Sequence, residues 1–142
     1  MKIVLDTNIL LIALSIKSKY YWIFEAFLNK EYELCVTTDI LMEYEEIIGI
    51  HMGGDVANTV LQIIEKSSNV NQITNYFKWQ LIVEDSDDNK FVDCSVSTNA
   101  SYIVTHDRHY NVLKQVDFPK VNIIDIYKLK EILEENRKRK NN

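Results

Sequence analysis

Short apolar runs alternate along the chain with longer segments in which apolar residues recur at helical spacing. The short runs are rich in β-branched residues and indicate buried strands at residues 3–5, 34–37, 81–83, 102–105 and 121–124. Strands that alternate with helices form right-handed βαβ units, which build a mostly parallel sheet covered by helices on both faces. The pattern therefore predicts an α/β domain.

The segments between these strands predict helices with recognisable starts. They fall at residues 20–28, at 40–48 behind a cap at Thr38 or Asp39, at 55 to about 77 with a break near 67–69, after Asp87 or Asp88, and after Asp125. The helical insert between the second and third predicted strands, residues 39–76, is long for a crossover. We expect it to form a helical lobe over one edge of the sheet.

The length and the composition of the chain indicate a single domain. The chain has 142 residues, 46% of them hydrophobic, and its three Gly and single Pro give no sign of a linker. We expect one domain over residues 1–142, with an ordered core of about 1–135 and a basic tail at 136–142. The run Arg137, Lys138, Arg139 and Lys140 is typical of a frayed, solvated helix end.

Charge and targeting signals narrow the function class. The chain has no apolar stretch of membrane-span length and no signal-peptide pattern, so we expect a cytoplasmic protein without a membrane partner. Cys35 and Cys94 are widely spaced among apolar neighbours, which favours buried thiols over a disulfide. The net charge of −5 argues against a protein that coats nucleic acid. It remains compatible with an enzyme whose acidic centre meets phosphate through bound cations.

Two aspartates stand at the ends of predicted strands. Asp6 directly follows the strand at 3–5, and Asp107 follows the strand at 102–105. Ligands of open parallel sheets bind just beyond the carboxyl ends of the strands. If both strands are central and parallel, the two carboxylates emerge at the same edge of the sheet.

Helical rotation of about 100° per residue selects further acids. Asp88 lies on the apolar face of its helix, whereas Asp93 is rotated by about 140° and is expected to face solvent. An acid at such a helix start can also serve only as an N-cap. In the preceding helix, Glu46 points away from the apolar stripe, whereas Glu43 and Glu45 border it on opposite sides. Geometry leaves the choice between Glu43 and Glu45 open.

Asp6, Asp88, Asp107 and one of the two glutamates can therefore converge. Several carboxylates within a few ångströms repel one another, so such a cluster persists when cations compensate its charge. Oxygen ligands suit Mg²⁺ or Mn²⁺, which accept phosphate oxygens, orient water and stabilise a leaving oxygen. The pattern predicts a metal-dependent phosphodiesterase.

Four segments, in this order and spacing, resemble the PIN-domain ribonucleases, which include the VapC-type toxins of bacterial toxin–antitoxin pairs. The matching stretches are residues 4–10 (VLDTNIL), 40–44 (ILMEY), 85–91 (DSDDNKF) and 100–107 (ASYIVTHD). Each motif alone is loose, but the four in register cover nearly the whole chain and are fairly specific.

The resemblance implies a three-layer α/β/α sandwich and the activity of a Mg²⁺- or Mn²⁺-dependent endoribonuclease. It also implies an RNA substrate, an antitoxin protein as partner, and a homodimer. The metal-binding acids of the family correspond here to Asp6, Glu43, Asp88 and Asp107, which selects Glu43 over Glu45, with Asn8 and Thr105 as supporting residues. One departure is His106, where many members of the family have Gly.

Other readings compete with this one. A haloacid-dehalogenase-like phosphatase or phosphotransferase would have a second Asp at position 8, where this chain has Asn8, and a receiver domain would have paired acids after its first strand. A non-catalytic binding module with the same fold would not need acids at all four positions. A zinc site at His106, Asp107 and His109 is disfavoured because no Cys or further His lies nearby in sequence.

Overall fold

A five-stranded parallel sheet forms the centre of the fold in the computed structural model, which describes residues 1–74, 76–83 and 86–141. The strands are β1 (Lys2–Leu5), β2 (Glu33–Thr37), β3 (Val70–Ile73), β4 (Tyr102–Val104) and β5 (Ile123–Ile124). Their order across the sheet is β3-β2-β1-β4-β5, so β1 is the central strand. Leu5 pairs with Val104, which brings the carboxyl ends of β1 and β4 to the same edge.

Helices cover this sheet and give the predicted α/β/α sandwich. They are α1 (Thr7–Ala13), α2 (Tyr21–Leu28), α3 (Thr38–Met52), α4 (Gly54–Lys66), α5 (Asn89–Thr98) and α6 (Ile126–Lys140), with 3₁₀ helices at Ser86–Asp88 and Arg108–Gln115. Because β1 is buried on both sides, its residues Ile3, Val4 and Leu5 are all apolar and lie within the core. The sequence pattern predicted this class of fold correctly.

Local capping determines where two of the helices begin. The Thr37 hydroxyl accepts a hydrogen bond from the amide of Ile40 at 3.1 Å, so the cap of α3 is Thr37 and not the predicted Thr38 or Asp39. The Asp125 carboxylate accepts from the amide of Lys128 at 2.8 Å and caps α6, as predicted. Gly53, with φ of 96°, joins α3 to α4 in a conformation that favours glycine, and the two helices pack on each other.

The third strand lies elsewhere than predicted. Residues 81–83 are not a strand, and β3 is instead the segment Val70–Ile73 within the stretch predicted to be helical. This edge strand pairs with β2 alone and has polar residues at its centre, so it lacks an apolar run. Within residues 81–83 only Ile82 is buried, whereas Val83 is exposed, and the backbone of Ile82 bonds to a side chain. The amide and the carbonyl of Ile82 both bond to the Asn89 side chain, at 2.9 and 2.8 Å.

The prediction that Asp93 faces solvent is also wrong. Asp93 is only 3% exposed, and its Oδ1 accepts a hydrogen bond from the amide of Trp79 at 2.9 Å. Residues 76–83 pass over this side of α5, a long-range contact that helical periodicity does not contain. Burial raises the pKa of the Asp93 carboxyl.

Further expectations concern the C-terminal end of the chain, the cysteines, the third motif and membrane-spanning helices. Helix α6 continues to Lys140, so the predicted basic tail begins within this helix, and Arg137 bonds to the Glu31 carboxylate at 2.5 and 2.9 Å. Cys35 and Cys94 are buried free thiols, as predicted. Asp85 of the third motif lies outside the described residues. Among the helices described, none combines the length and the apolar character that a membrane span requires.

The Asn89 bonds make a prediction about stability. Asn89→Ala leaves the amide and the carbonyl of the buried Ile82 without these partners, so the free energy of unfolding should fall by about 1–3 kcal/mol. Urea denaturation measures this change. Gln62→Ala, at an exposed position of α4, is the control and should stay within about 0.5 kcal/mol. An Asn89→Ala protein as stable as the control would show that these two bonds contribute nothing.

Candidate active site

The paired ends of β1 and β4 position the first two acids. The amide of Asp6 donates to the carbonyl of Val104 at 3.1 Å, which ties the start of α1 to the end of β4. Asp6 is the N-cap residue of α1, but its side chain makes no capping hydrogen bond. The carboxylate is 7% exposed and points to the sheet edge, where Asp107 follows β4. The Asp6 carboxylate therefore does not cap α1 and is available at the sheet edge.

Thr105 links the two aspartates. Its hydroxyl donates to Asp6 Oδ2 at 2.7 Å and accepts from the amide of Asp107 at 3.0 Å. Thr105 is itself buried, and its amide donates to the carbonyl of Ile124 in β5. One hydroxyl thus joins both acids in a single hydrogen-bonded network. Asn8, the other residue that the resemblance suggests as a supporting residue, lies exposed in the first turn of α1.

Asp107 and Asp88 approach each other around a histidine. Asp107 caps the 3₁₀ helix Arg108–Gln115, and its Oδ1 accepts from the amide of His109 at 2.9 Å. The His109 Nδ1 lies 3.1 Å from Asp107 Oδ1 and 3.9 Å from Asp88 Oδ2. One candidate ligand atom from each of these three residues lies within 4.8 Å of the other two. The sequence pattern placed Asp88 and Asp107 here but gave little weight to His109.

Glu43 reaches the same region from α3 and is held by two residues that the sequence pattern does not predict. The hydroxyl of Thr7 donates to Glu43 Oε2, and Lys90 Nζ donates to Glu43 Oε1 at 2.8 Å. Thr7 follows Asp6 directly, and Lys90 lies in the first turn of α5, so both belong to helices that start at this edge. Glu45 and Glu46 are exposed. The only available signal for Thr7 and Lys90 was their sequence position beside Asp6 and Asp88.

The charges of all four acids act on the buried hydroxyl of Tyr110. Burial raises the pKa of its hydroxyl far above the usual range, and the charges of four carboxylates raise it further. Those carboxylates belong to Asp6, Asp88, Asp107 and Glu43. The Tyr110 hydroxyl also lies 3.5 Å from the carbonyl of Asp88, its acceptor. Side chains from four separate parts of the fold therefore share one electrostatic environment.

The pKa of Asp6 is set mainly by its burial and, to a smaller extent, by the neighbouring acids. Burial is the main cause that raises the pKa of the Asp6 carboxyl, and the nearby charges of Asp107 and Glu43 raise it further. Hydrogen bonds from Thr105 and from the backbone of Thr7 act in the opposite direction without cancelling the rise. A group that holds negative charge at such cost is suited to a compensating cation.

The donor set fits a divalent metal ion. Asp88 and Asp107 offer carboxylate oxygens, which are the ligands that Mg²⁺ and Mn²⁺ prefer, with the His109 imidazole beside them. Asp6 lies outside this group of three and is linked to Asp107 through Thr105. Both oxygens of the Glu43 carboxylate already accept hydrogen bonds, from Thr7 and from Lys90, so Glu43 is less available as a metal ligand.

Comparison with known proteins assigns the fold to a family. The model of the PIN domain matches residues 2–109, a range that contains all four acids, and the chain belongs to this family. The fold is similar to a chain in the crystal structure of VapBC2 from Rickettsia felis bound to a DNA fragment from their promoter, with a TM-score of 0.59 and 17% sequence identity. That match covers 88% of this chain and 98% of the other chain. Comparison with curated protein sequences gave no significant match.

The raised pKa of Asp6 predicts a pH-dependent stability. Because the pKa is higher in the folded state than the ordinary value of 3.8, the charged carboxylate destabilises the fold at any pH above that raised pKa. Without metal, Asp6→Asn should therefore be at least as stable as wild type at pH 7.5. The advantage should shrink as the pH falls through the raised pKa towards 3.8. Urea denaturation across this pH range measures the difference.

The matched control is Asp117→Asn, which removes a charge from an exposed position and should show no such pH trend. A marked loss of stability in Asp6→Asn at pH 7.5 would mean that the carboxylate is a structural acceptor for Thr105. In that case the cluster would not be under electrostatic strain.

Proposed function

We propose that this PIN-domain protein is a Mg²⁺- or Mn²⁺-dependent endoribonuclease. The observation that supports it most strongly is the pair of linked contacts at the sheet edge, where Thr105 joins Asp6 to Asp107 and His109 lies between Asp107 and Asp88. Burial, and after it the nearby carboxylates, disfavour the charge of Asp6, and such a group is expected to persist where it serves a cation. A bound divalent cation supplies an acidified water and stabilises the charge that develops on phosphate and leaving oxygens.

Residues of the protein position the acids, accept a proton and moderate the charge at the site. Thr105 holds the Asp6 carboxylate by a 2.7 Å bond and fixes the start of the Asp107 turn, so the two acids keep a constant separation. A carboxylate of this cluster accepts the proton of the attacking water. Lys90, in the first turn of α5, places a cation beside Glu43 and moderates the repulsion that an incoming phosphate meets.

We further propose that the protein acts as the toxin of a toxin–antitoxin pair, with an antitoxin protein as partner and with a homodimer as its working form. The similarity in fold to a VapBC2 chain supports the antitoxin partner, since that structure contains a complex bound to promoter DNA. The homodimer follows from the resemblance to PIN-domain ribonucleases.

The test is cleavage of a defined single-stranded RNA by the full chain. Cleavage should require added Mn²⁺ or Mg²⁺ and should stop with EDTA. It should leave a 5′-phosphate and a 3′-hydroxyl, because water attacks the phosphorus. Asp6→Asn and Asp107→Asn should each lower the rate by at least about 100-fold, since each removes a carboxylate proposed to hold the cation that would stabilise the developing negative charge. Analysis of labelled products by gel electrophoresis and mass spectrometry measures both quantities.

Glu46→Gln is the matched control because it removes one charge from an exposed position on the same helix as Glu43. Its cleavage rate should equal that of wild type. Products that carry a 2′,3′-cyclic phosphate, or cleavage that persists in EDTA, would contradict the proposal. Full activity in Asp6→Asn would contradict it equally.

A further inference from the structure

We propose that His109 is a metal ligand and that Asp88, Asp107 and His109 together form a mixed nitrogen and oxygen site that binds Mn²⁺ in preference to Mg²⁺. This inference rests on the proposed function in that it takes the carboxyl edge of the sheet as the metal site. It goes beyond that function because it adds a ligand outside the four acids and assigns the selectivity of the site to it.

The distances between the candidate ligand atoms suit a shared ion. Ligand atoms that lie about 2.1–2.2 Å from one cation are separated from each other by about 3.0–4.4 Å, depending on the angle between the bonds. His109 Nδ1 lies 3.1 Å from Asp107 Oδ1 and 3.9 Å from Asp88 Oδ2, and both values fall within that interval. Ligand atoms of the three residues all lie within 4.8 Å of one another, so a small movement of the side chains would let them share one ion.

The local fold explains why the imidazole is in place. Asp107 caps the 3₁₀ helix Arg108–Gln115 through the amide of His109, so the same turn that positions the carboxylate also positions the ring. The His109 side chain is 41% exposed, which leaves the site open on one side. An ion bound here can keep water ligands and can be reached by a substrate phosphate.

The other two histidines of the chain do not share this position. His106 lies against the start of α6, where its Nε2 accepts from the amide of Ile126 at 3.3 Å and its ring stacks on Tyr127. His51 is exposed in the last turn of α3, about 12 Å along that helix from Glu43. His109 alone among the three histidines joins the described carboxylate cluster.

Imidazole changes which ion the site prefers. Mg²⁺ is a hard ion that strongly favours oxygen ligands, whereas Mn²⁺ and later transition ions accept imidazole nitrogen readily. A site of carboxylates alone would discriminate weakly between Mg²⁺ and Mn²⁺. With His109 as a ligand, the bond to imidazole nitrogen should raise the affinity for Mn²⁺ more than the affinity for Mg²⁺. A protonated His109 that merely forms ion pairs with the two aspartates would give no such selectivity.

The test measures metal binding by the full-length protein after removal of metal, independently of RNA cleavage. Mn²⁺ is added and its electron spin-echo modulation is recorded, because coupling to ¹⁴N appears only when a nitrogen ligates the ion. Calorimetric titrations give the dissociation constants for Mn²⁺ and Mg²⁺. The variants are His109→Asn and His109→Gln, which retain the backbone amide that caps the turn, and the control is His106→Gln. Thermal melting establishes that each variant is folded.

Wild type and His106→Gln should show ¹⁴N coupling, and both His109 variants should lose it. The affinity for Mn²⁺ should fall about tenfold or more in the His109 variants, while the affinity for Mg²⁺ changes by less than about threefold. Wild-type protein that binds Mn²⁺ without ¹⁴N coupling, or that binds no Mn²⁺, would overturn the proposal. An equal loss of affinity for both ions in the His109 variants would also overturn it.

The two proposals fail in distinguishable ways. If the protein shows ¹⁴N coupling through His109 but does not cleave RNA, the metal site is supported and the proposed function is contradicted. If it cleaves RNA with Mn²⁺ but shows no ¹⁴N coupling, the proposed function is supported and His109 is not a ligand.

Discussion

The parallel pairing of β1 with β4 is the constraint on which the site depends. Because Leu5 and Val104 lie opposite each other, the chain leaves the sheet at the same level in both strands. Asp6 and Thr105 then fall within hydrogen-bond distance, and Thr105 in turn fixes the amide of Asp107. A shift of this register would reverse the face on which each side chain emerges and would separate these residues.

The fold accepts an electrostatic cost at this edge and offsets part of it locally. Buried Asp6 has a raised pKa because desolvation and, to a smaller extent, neighbouring carboxylates disfavour its charge. Lys90 and Thr7 both donate hydrogen bonds to the Glu43 carboxylate. These contacts reduce the repulsion within the protein itself. A divalent cation between the remaining carboxylates would reduce it further, so binding of metal and stability of the fold should be linked.

The sequence was most informative where a local pattern determines the structure. Asp6 and Asp107 were predicted because each follows an apolar strand, and the class of fold followed from strands alternating with helices. Glu43 could be selected over Glu45 only through the resemblance to a family, since both border the apolar stripe of α3. Whether Asp6, Glu43, Asp88 and Asp107 bind metal stays a prediction.

Contacts between distant segments were beyond that kind of reasoning. Strand β3 was missed because an edge strand with a polar centre carries no apolar run. Asp93 was assigned to solvent because residues 76–83, which cover it, come from another part of the chain. The pair formed by Lys90 and Glu43 joins α5 to α3 and has no signature in either helix alone.

The central claim is that the carboxyl edge of β1 and β4, together with the start of α5, holds a divalent cation. Anomalous X-ray diffraction from crystals grown with Mn²⁺ locates the ion directly. The account predicts an anomalous peak bonded to the carboxylates of Asp88 and Asp107, on the side of the site where Asp6 lies. A crystal that binds Mn²⁺ only elsewhere, or that binds none at saturating concentration, would contradict it.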